Sequence, residues 1–110
     1  MTPRVTADFW VSAYLARLSA EGIFAHVAHK GDPTAGAAAV KIATMNRQAS
    51  LWMRNFDGEG RRVWATVMDD APEADVDAYV ARQRGYDRDL WIIEVEDPRG
   101  RHLLDQIGLD

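Results

Sequence analysis

Residues 7–21 carry their apolar side chains at the spacing of one helix face. These positions fall at i, i+3, i+4 and i+7: Val11, Tyr14, Leu15 and Leu18. Thr6 precedes them as a favoured N-cap residue, and Gly22 follows as a natural helix end. The pattern predicts a helix from Ala7 to Glu21.

Beyond Gly22 the apolar positions change to the shorter period of β-strands. The pattern predicts four strands divided by turn residues: Ile23–Lys30, Ala37–Met45, Ala49–Phe56 and Arg61–Met68. Parallel pairing of consecutive strands would need crossovers of about a dozen residues or more, which these connections cannot supply. We therefore expect a four-stranded antiparallel meander.

A second helix and a last strand complete the predicted fold. Pro72 suits a first helical turn, and basic residues followed by Gly85 mark the far end of a helix of about a dozen residues. Leu90–Glu96 then has the pattern of a strand. Together these elements indicate one α+β domain over residues 1–110, with the helices mainly on one face of the sheet.

Strand alternation sorts the side chains of the meander into two sets. One set is almost purely apolar and is expected beneath the helices. The other set mixes aromatic and cationic side chains: Phe24, His26, Lys41, Trp52, Arg54, Phe56, Arg62 and Trp64. Aromatic and arginine side chains bring much contact area at small conformational cost, so this set is a candidate binding face. The alternative is that the C-terminal segment or an identical subunit covers it.

Composition narrows the classes of function. The chain has 110 residues, no cysteine and a net charge of −4. The absence of cysteine excludes disulfides and thiolate chemistry, and no apolar run approaches membrane-spanning length, so we expect a cytoplasmic protein. Residues 69–89 hold seven acids and three arginines and thus account for the whole net charge. This balance disfavours nucleic acid as a partner.

The spacing of histidines and carboxylates gives little support for a catalytic or metal site. His26 and His29 are three residues apart, a spacing that sends side chains of a regular strand to opposite faces. Glu94 and Glu96 share a face, as a pair of carboxylates for acid–base chemistry would. Alternating acidic residues are also typical of the solvent-exposed face of a strand. No phosphate-binding loop or nucleophile motif is present. We predict no catalytic residue, no metal site and no cofactor.

Two stretches of the chain resemble a known family. These are FWVSAYL from Phe9 to Leu15 and RQRGYDRDLWIIEVED from Arg82 to Asp97. The chain resembles the DUF1491 family, a group of short alphaproteobacterial proteins with no assigned activity, over nearly its whole length. The resemblance implies a bacterial cytoplasmic protein and supplies no catalytic residue.

The second stretch concentrates charge where the second helix meets the last strand. The side chains involved are Arg82, Arg84, Tyr86, Asp87 and Asp89. Arginines can neutralise the carbonyl end of a helix, and an aspartate can pair with one of them, so a structural role is the simpler interpretation. A small polar binding site beside the sheet edge is the alternative.

The leading hypothesis is a non-catalytic module that binds a protein partner or self-associates as a homo-oligomer through the aromatic and basic face. A single-stranded nucleic-acid binder using the same face is the second hypothesis, because bases stack on aromatic side chains. A small enzyme with its site near the second helix and the last strand is the third.

Overall fold

A computed structural model describes residues 5–56 and 62–106. The elements follow in the order α1 (Ala7–Ala20), β1 (Phe24–His29), β2 (Ala38–Ala43), β3 (Gln48–Phe56), β4 (Arg62–Pro72), α2 (Glu73–Tyr86) and β5 (Trp91–Glu96). Every predicted element is present, and the ends of most are close to the predicted ones. The exception is β4, which continues beyond the predicted end at Met68 to Pro72, so Pro72 precedes α2 and does not lie in its first turn. No helix in the described ranges is long and apolar enough to cross a membrane.

The five strands form one mixed sheet in the order β1-β5-β2-β3-β4. β5 pairs parallel with β2 and antiparallel with β1, and the remaining pairs are antiparallel. The predicted antiparallel meander is therefore wrong, because β5 separates β1 from β2. The short connections do exclude parallel pairing of consecutive strands. They do not determine the position of β5 in the strand order. The segment from β3 through β4 and α2 is a crossover long enough for β5 to pair parallel with β2.

The two helices pack on opposite faces of this sheet, which corrects the expectation that both lie mainly on one face. Side chains of α1 share a buried cluster with Val40 and Ile93, whereas Val76 of α2 shares another with Ala39 and Ile92. Neighbouring residues of a strand point to opposite faces, so the two clusters lie on opposite sides. β2 is buried along its whole length. A strand buried on both faces gives no alternation from which a single core face could be inferred.

A C-terminal strap, residues 97–106, lies against the α1 side of the sheet. It begins at the buried Asp97, whose carboxylate accepts hydrogen bonds from the backbone N, Nε and Nη2 of Arg101 at 2.8, 3.1 and 3.0 Å. These contacts hold the pKa of Asp97 below its ordinary value, chiefly through the Arg101 side chain and against the effect of burial. Leu104 then enters the same buried cluster as α1. The strap is thus part of the core on this side.

The loop before β2 packs closely on the start of β5. Asp32 donates its backbone N–H to the carbonyl of Asp89 at 3.0 Å, and its own carbonyl accepts from the Trp91 indole at 2.8 Å. A Cβ atom at Gly31 would collide with the Asp89 carbonyl oxygen and lie 2.6 Å from Cδ1 of Trp91. Glycine at this position therefore permits the approach of the loop to the sheet.

We expect Gly31→Ala to lower the free energy of unfolding by about 1–3 kcal/mol, the usual cost of forcing extra atoms into a packed site. The matched control is Gly85→Ala, whose added Cβ would meet nothing within 4 Å. Since Gly85 lies inside α2, the control should be neutral or more stable by up to about 1 kcal/mol. Urea unfolding followed by circular dichroism measures both, and equal stability of the two variants would contradict the close approach.

Candidate functional site

The residues predicted to form one aromatic and basic face are divided between the two sides of the sheet. Trp52 lies opposite Val40, and Arg54 lies opposite Trp64, so these side chains face α1. His26 and Lys41 both lie opposite Glu94 and face α2. The single face is therefore wrong. Both Leu51 and Trp52 pack against buried clusters, and the hydrophobic pattern of β3 did not reveal which of them faced α1.

The members on the α1 side pack within the protein. The Arg54 guanidinium lies 4.7 Å from the ring centroid of Trp10 and 5.0 Å from that of Trp64. The ring of Trp52 lies 4.5 Å from that of His102 in the strap. Trp52 and Trp64 both pack against the α1 cluster. The strap therefore covers Trp52 in the way that the sequence analysis gave as the alternative to an open binding face.

Phe56 and Arg62 lie opposite each other at the far end of the β3–β4 pair. Their side chains lie outside the described part of the structure.

The second predicted patch spans the end of α2, which holds Arg82, Arg84 and Tyr86, and the turn to β5, which holds Asp87 and Asp89. Asp87 donates its backbone N–H to the Gln83 carbonyl at 2.9 Å, and its carboxylate accepts from the backbone N–H of Asp89 at 3.0 Å. The Arg82 guanidinium lies 5.8 Å from the Tyr79 ring centroid. Arg84 lies in the last turn of α2, where a cation stabilises the helix end, and Tyr86 is 84% exposed. The contacts of Asp87 and Asp89 have a structural role.

The histidines of β1 depart from the regular strand assumed for them. The register shifts between Val27 and His29, so that His29 lies opposite Ile92. The prediction of opposite faces for His26 and His29 does not hold across this irregularity. Among the described residues, no group of three or more histidines and carboxylates has an arrangement that could hold a metal ion.

The unusual chemistry of the α2 side centres on Lys41. This side chain belongs to the fully buried strand β2, and the residue is only 4% exposed. Its Nζ lies 2.6 Å from Oδ1 of Asp77 and 2.8 Å from Oε2 of Glu73, both on α2. Oε1 of Glu94 on β5 lies 3.4 Å away. A buried ammonium needs such partners because its desolvation is costly.

The three carboxylates keep Lys41 in its charged form. Burial alone would lower the pKa of Lys41, but hydrogen bonds to Asp77 and Glu73 and the charge of Glu94 together raise it above the ordinary 10.5. A raised pKa means that the interaction stabilises the fold fully below about pH 10.5 and is lost as the pH rises through the folded-state value. Lys41 is thus a permanent cation at neutral pH, which is unsuitable for a nucleophile or a general base.

Beside this cluster, the sheet surface over β1 and β5 projects past α2. α2 packs mainly on β3 and β4. Four side chains of β1 and β5 define what we name the open face: Phe24, His26, Glu94 and Glu96. Phe24 is 64% exposed, and Nε2 of His26 lies 3.9 Å from Oε2 of Glu94. The open face is therefore an aromatic side chain set among carboxylates.

Sequence reasoning missed this arrangement although signals for it were present. Lys41 stands between Val40 and Ile42 in a strand of otherwise apolar residues, a pattern that indicates a buried cation in need of acidic partners. Glu94 and Glu96 do share a partly exposed face, as their spacing predicted. Their proximity to Lys41 depends on β5 lying beside β2, which no local pattern encodes.

Comparison with known proteins identifies the family. The chain belongs to the family described as "Protein of unknown function (DUF1491)", whose model matches residues 5–105. The resemblance predicted from the sequence is thus confirmed. No curated protein matches the chain.

Three solved structures, two of them of DUF1491 family proteins, have the same fold. The crystal structure of a DUF1491 family protein from Caulobacter crescentus CB15 is 39% identical, with a TM-score of 0.85 over 93% of this chain and 96% of that one. An NMR structure of a DUF1491 family protein from the same organism is 40% identical, with a TM-score of 0.81 over 94% and 96%. The solution structure of protein Atu0922 from A. tumefaciens is 26% identical, with a TM-score of 0.79 over 96% of both chains.

The state of Lys41 can be tested by amine labelling, since Lys30 and Lys41 are the two lysines of the chain. At about pH 8 we expect the exposed Lys30 to react normally and Lys41 to react at least about tenfold more slowly, because each unit by which the pKa rises lowers the reactive amine fraction about tenfold. Mass spectrometry of proteolytic peptides measures both rates. In urea the two lysines should react alike, and equal rates in the folded protein would contradict the buried ion cluster.

Proposed function

We propose that the protein is a non-catalytic interaction module that binds a basic segment of a partner protein on the open face. The observation that carries this proposal is the exposure of Phe24, at 64%, beside Glu94 and Glu96 on a part of the sheet that projects past α2. The proposal keeps the hypothesis of an interaction module. From the predicted face it uses Phe24 and His26 on the α2 side, and it leaves out Trp52, Arg54 and Trp64 on the α1 side.

The chemistry of the open face fits a cationic, partly apolar segment. An exposed aromatic ring offers contact area to an apolar or guanidinium group, and carboxylates around it favour a cation. Asp77 adds to the negative charge at the border of the face, since 58% of its side chain stays exposed despite its contact with Lys41. The partner would therefore present arginine or lysine next to an apolar side chain.

Other partners fit this surface less well. Nucleic-acid phosphates would be repelled by the carboxylates, and Trp52, Arg54 and Trp64 pack with Trp10 and the strap. Self-association through a two-fold axis would bring the same acidic patch of two copies together, which like-charge repulsion opposes. A different protein with a basic segment is the partner that the charges favour.

The proposal is tested with short peptides in which arginine alternates with leucine, compared with peptides in which glutamate replaces arginine. We expect the basic peptides to shift NMR amide signals of β1 and β5 selectively. Phe24→Ala should weaken binding about tenfold or more, as expected for an aromatic anchor. Phe9→Ala is the matched control, because Phe9 is 62% exposed on α1, away from the open face.

A second pair of variants separates a specific site from general attraction to an acidic protein. Glu96→Gln and Glu21→Gln each remove one carboxylate charge, and Glu21 stands at the end of α1. Binding should weaken several-fold with Glu96→Gln and stay nearly unchanged with Glu21→Gln. Equal effects of the two variants, or amide shifts spread over the whole surface, would show that the open face is not a binding site.

A further inference from the structure

His102 lies where the C-terminal strap crosses the aromatic side chains of the α1 layer. Its ring is 4.5 Å from that of Trp52, and its backbone carbonyl accepts a hydrogen bond from the Tyr14 hydroxyl at 2.8 Å. Its Nδ1 accepts a hydrogen bond from the backbone N–H of Leu104 at 3.0 Å. One residue thus joins the strap to α1, to β3 and to its own next turn.

The strap has two further anchors, one on each side of His102. Before His102, Asp97 donates its backbone N–H to the carbonyl of Ala43 on β2 at 3.0 Å, and Arg101 binds the Asp97 carboxylate within the strap. After His102, Arg17 of α1 donates to the side-chain oxygen of Gln106 at 2.7 Å. Between these points Leu103 adopts a φ of 61°, a left-handed conformation that is costly for a leucine. The Leu104 N–H bond to His102 lies beside this strained residue, so it helps to hold the turn that places Leu104 in the core.

The hydrogen bond from Leu104 requires a neutral imidazole. An N–H donor needs a lone pair on Nδ1, which leaves the proton of the neutral ring on Nε2. Addition of a proton at Nδ1 turns this acceptor into a donor that faces another donor. The hydrogen bond is then lost, and the backbone N–H of Leu104 keeps no partner in a partly buried place.

We propose that His102 makes the C-terminal strap acid-responsive: the neutral imidazole fastens the strap to the α1 layer, and protonation loosens it around Leu104. Loosening would expose the face of Trp52 that His102 covers. The device is independent of the proposed partner surface, which lies on the opposite side of the sheet.

The surroundings of His102 agree with this role. The charged or titratable groups of the elements that pack there are Asp97, Arg99, Arg101 and Asp105 of the strap, Asp8, Tyr14 and Arg17 of α1, and Arg54 of β3. Burial lowers the pKa of His102 below its ordinary 6.5, and the charge of Asp105 opposes this only in part. The pKa of Tyr14 is raised by burial, so its hydroxyl stays a donor throughout.

The direction of the pH effect follows from the lowered pKa. A group whose folded state prefers the neutral form stabilises the fold above its unfolded value, here about pH 6.5. That contribution is lost as the pH falls through the folded-state value. Loosening of the strap should therefore begin as the pH falls below about 6.5. The Asp97 carboxylate, whose pKa is held below 3.8 chiefly by the Arg101 side chain, begins to lose its contribution only below about pH 3.8.

The test is hydrogen exchange of the strap between about pH 7.5 and about pH 5, with protection factors corrected for the intrinsic pH dependence of exchange. We expect the protection of the Leu104 amide to fall about tenfold in the unmodified protein and in His26→Gln, whose histidine is half-exposed on the other side of the sheet. In His102→Gln the protection should be independent of pH. Equal protection at both pH values in the unmodified protein would overturn the proposal, as would a loss that persists in His102→Gln.

A second measurement keeps the test decisive if His102→Gln releases the strap altogether. In the unmodified protein, NMR follows the imidazole of His102 and the amide of Leu104 through the same titration. Coincident midpoints below pH 6.5 are expected, because one proton controls both signals. An amide of Leu104 that does not respond at the midpoint of His102 would refute the coupling.

Discussion

The parallel pairing of β2 with β5 at the centre of the sheet is the constraint on which the rest of the structure depends. It places β5 between β1 and β2 and surrounds β2 with strands on both edges. β2 is then buried on both faces, so each face needs its own helical layer. The positions of α1 and α2 on opposite sides follow from this requirement.

The same constraint explains the ion cluster. A lysine on a doubly covered strand cannot reach bulk water, so Lys41 needs acidic partners within the fold. α2 supplies two of them from its first turns, and β5 supplies Glu94 because it is the parallel neighbour of β2. These contacts hold α2 over the half of the sheet that consists of β2, β3 and β4. The surface over β1 and β5 is left beyond the helix, and the proposed partner surface is thus a consequence of how the lysine is neutralised.

The sequence predicted the elements better than their arrangement. Helix and strand periods, caps and turn residues are local, and α1 and β5 end within one residue of their predicted bounds. The order of the strands depends on a contact between residues about fifty positions apart, Val40 and Ile93, and no spacing rule encodes it. The assignment of faces failed at β3 for a related reason. Leu51 and Trp52 point to opposite faces of the sheet, and each packs against a buried cluster. Alternation of side chains along β3 therefore separates two buried faces, and it could not show that one of them was a surface.

The contrast between the two sides of the sheet argues for the acidic side as the place where a partner binds. On the α1 side, the aromatic and cationic side chains already satisfy one another: Arg54 lies near the rings of Trp10 and Trp64, and His102 covers Trp52. A ligand there would have to replace contacts between side chains that folding has already ordered. On the α2 side, Phe24 has no comparable covering, since 64% of it is exposed. Trp52, Arg54 and Trp64 of the predicted face therefore help to close the α1 side of the fold. Phe24, beside Glu94 and Glu96, lies on the surface that the proposed partner would contact.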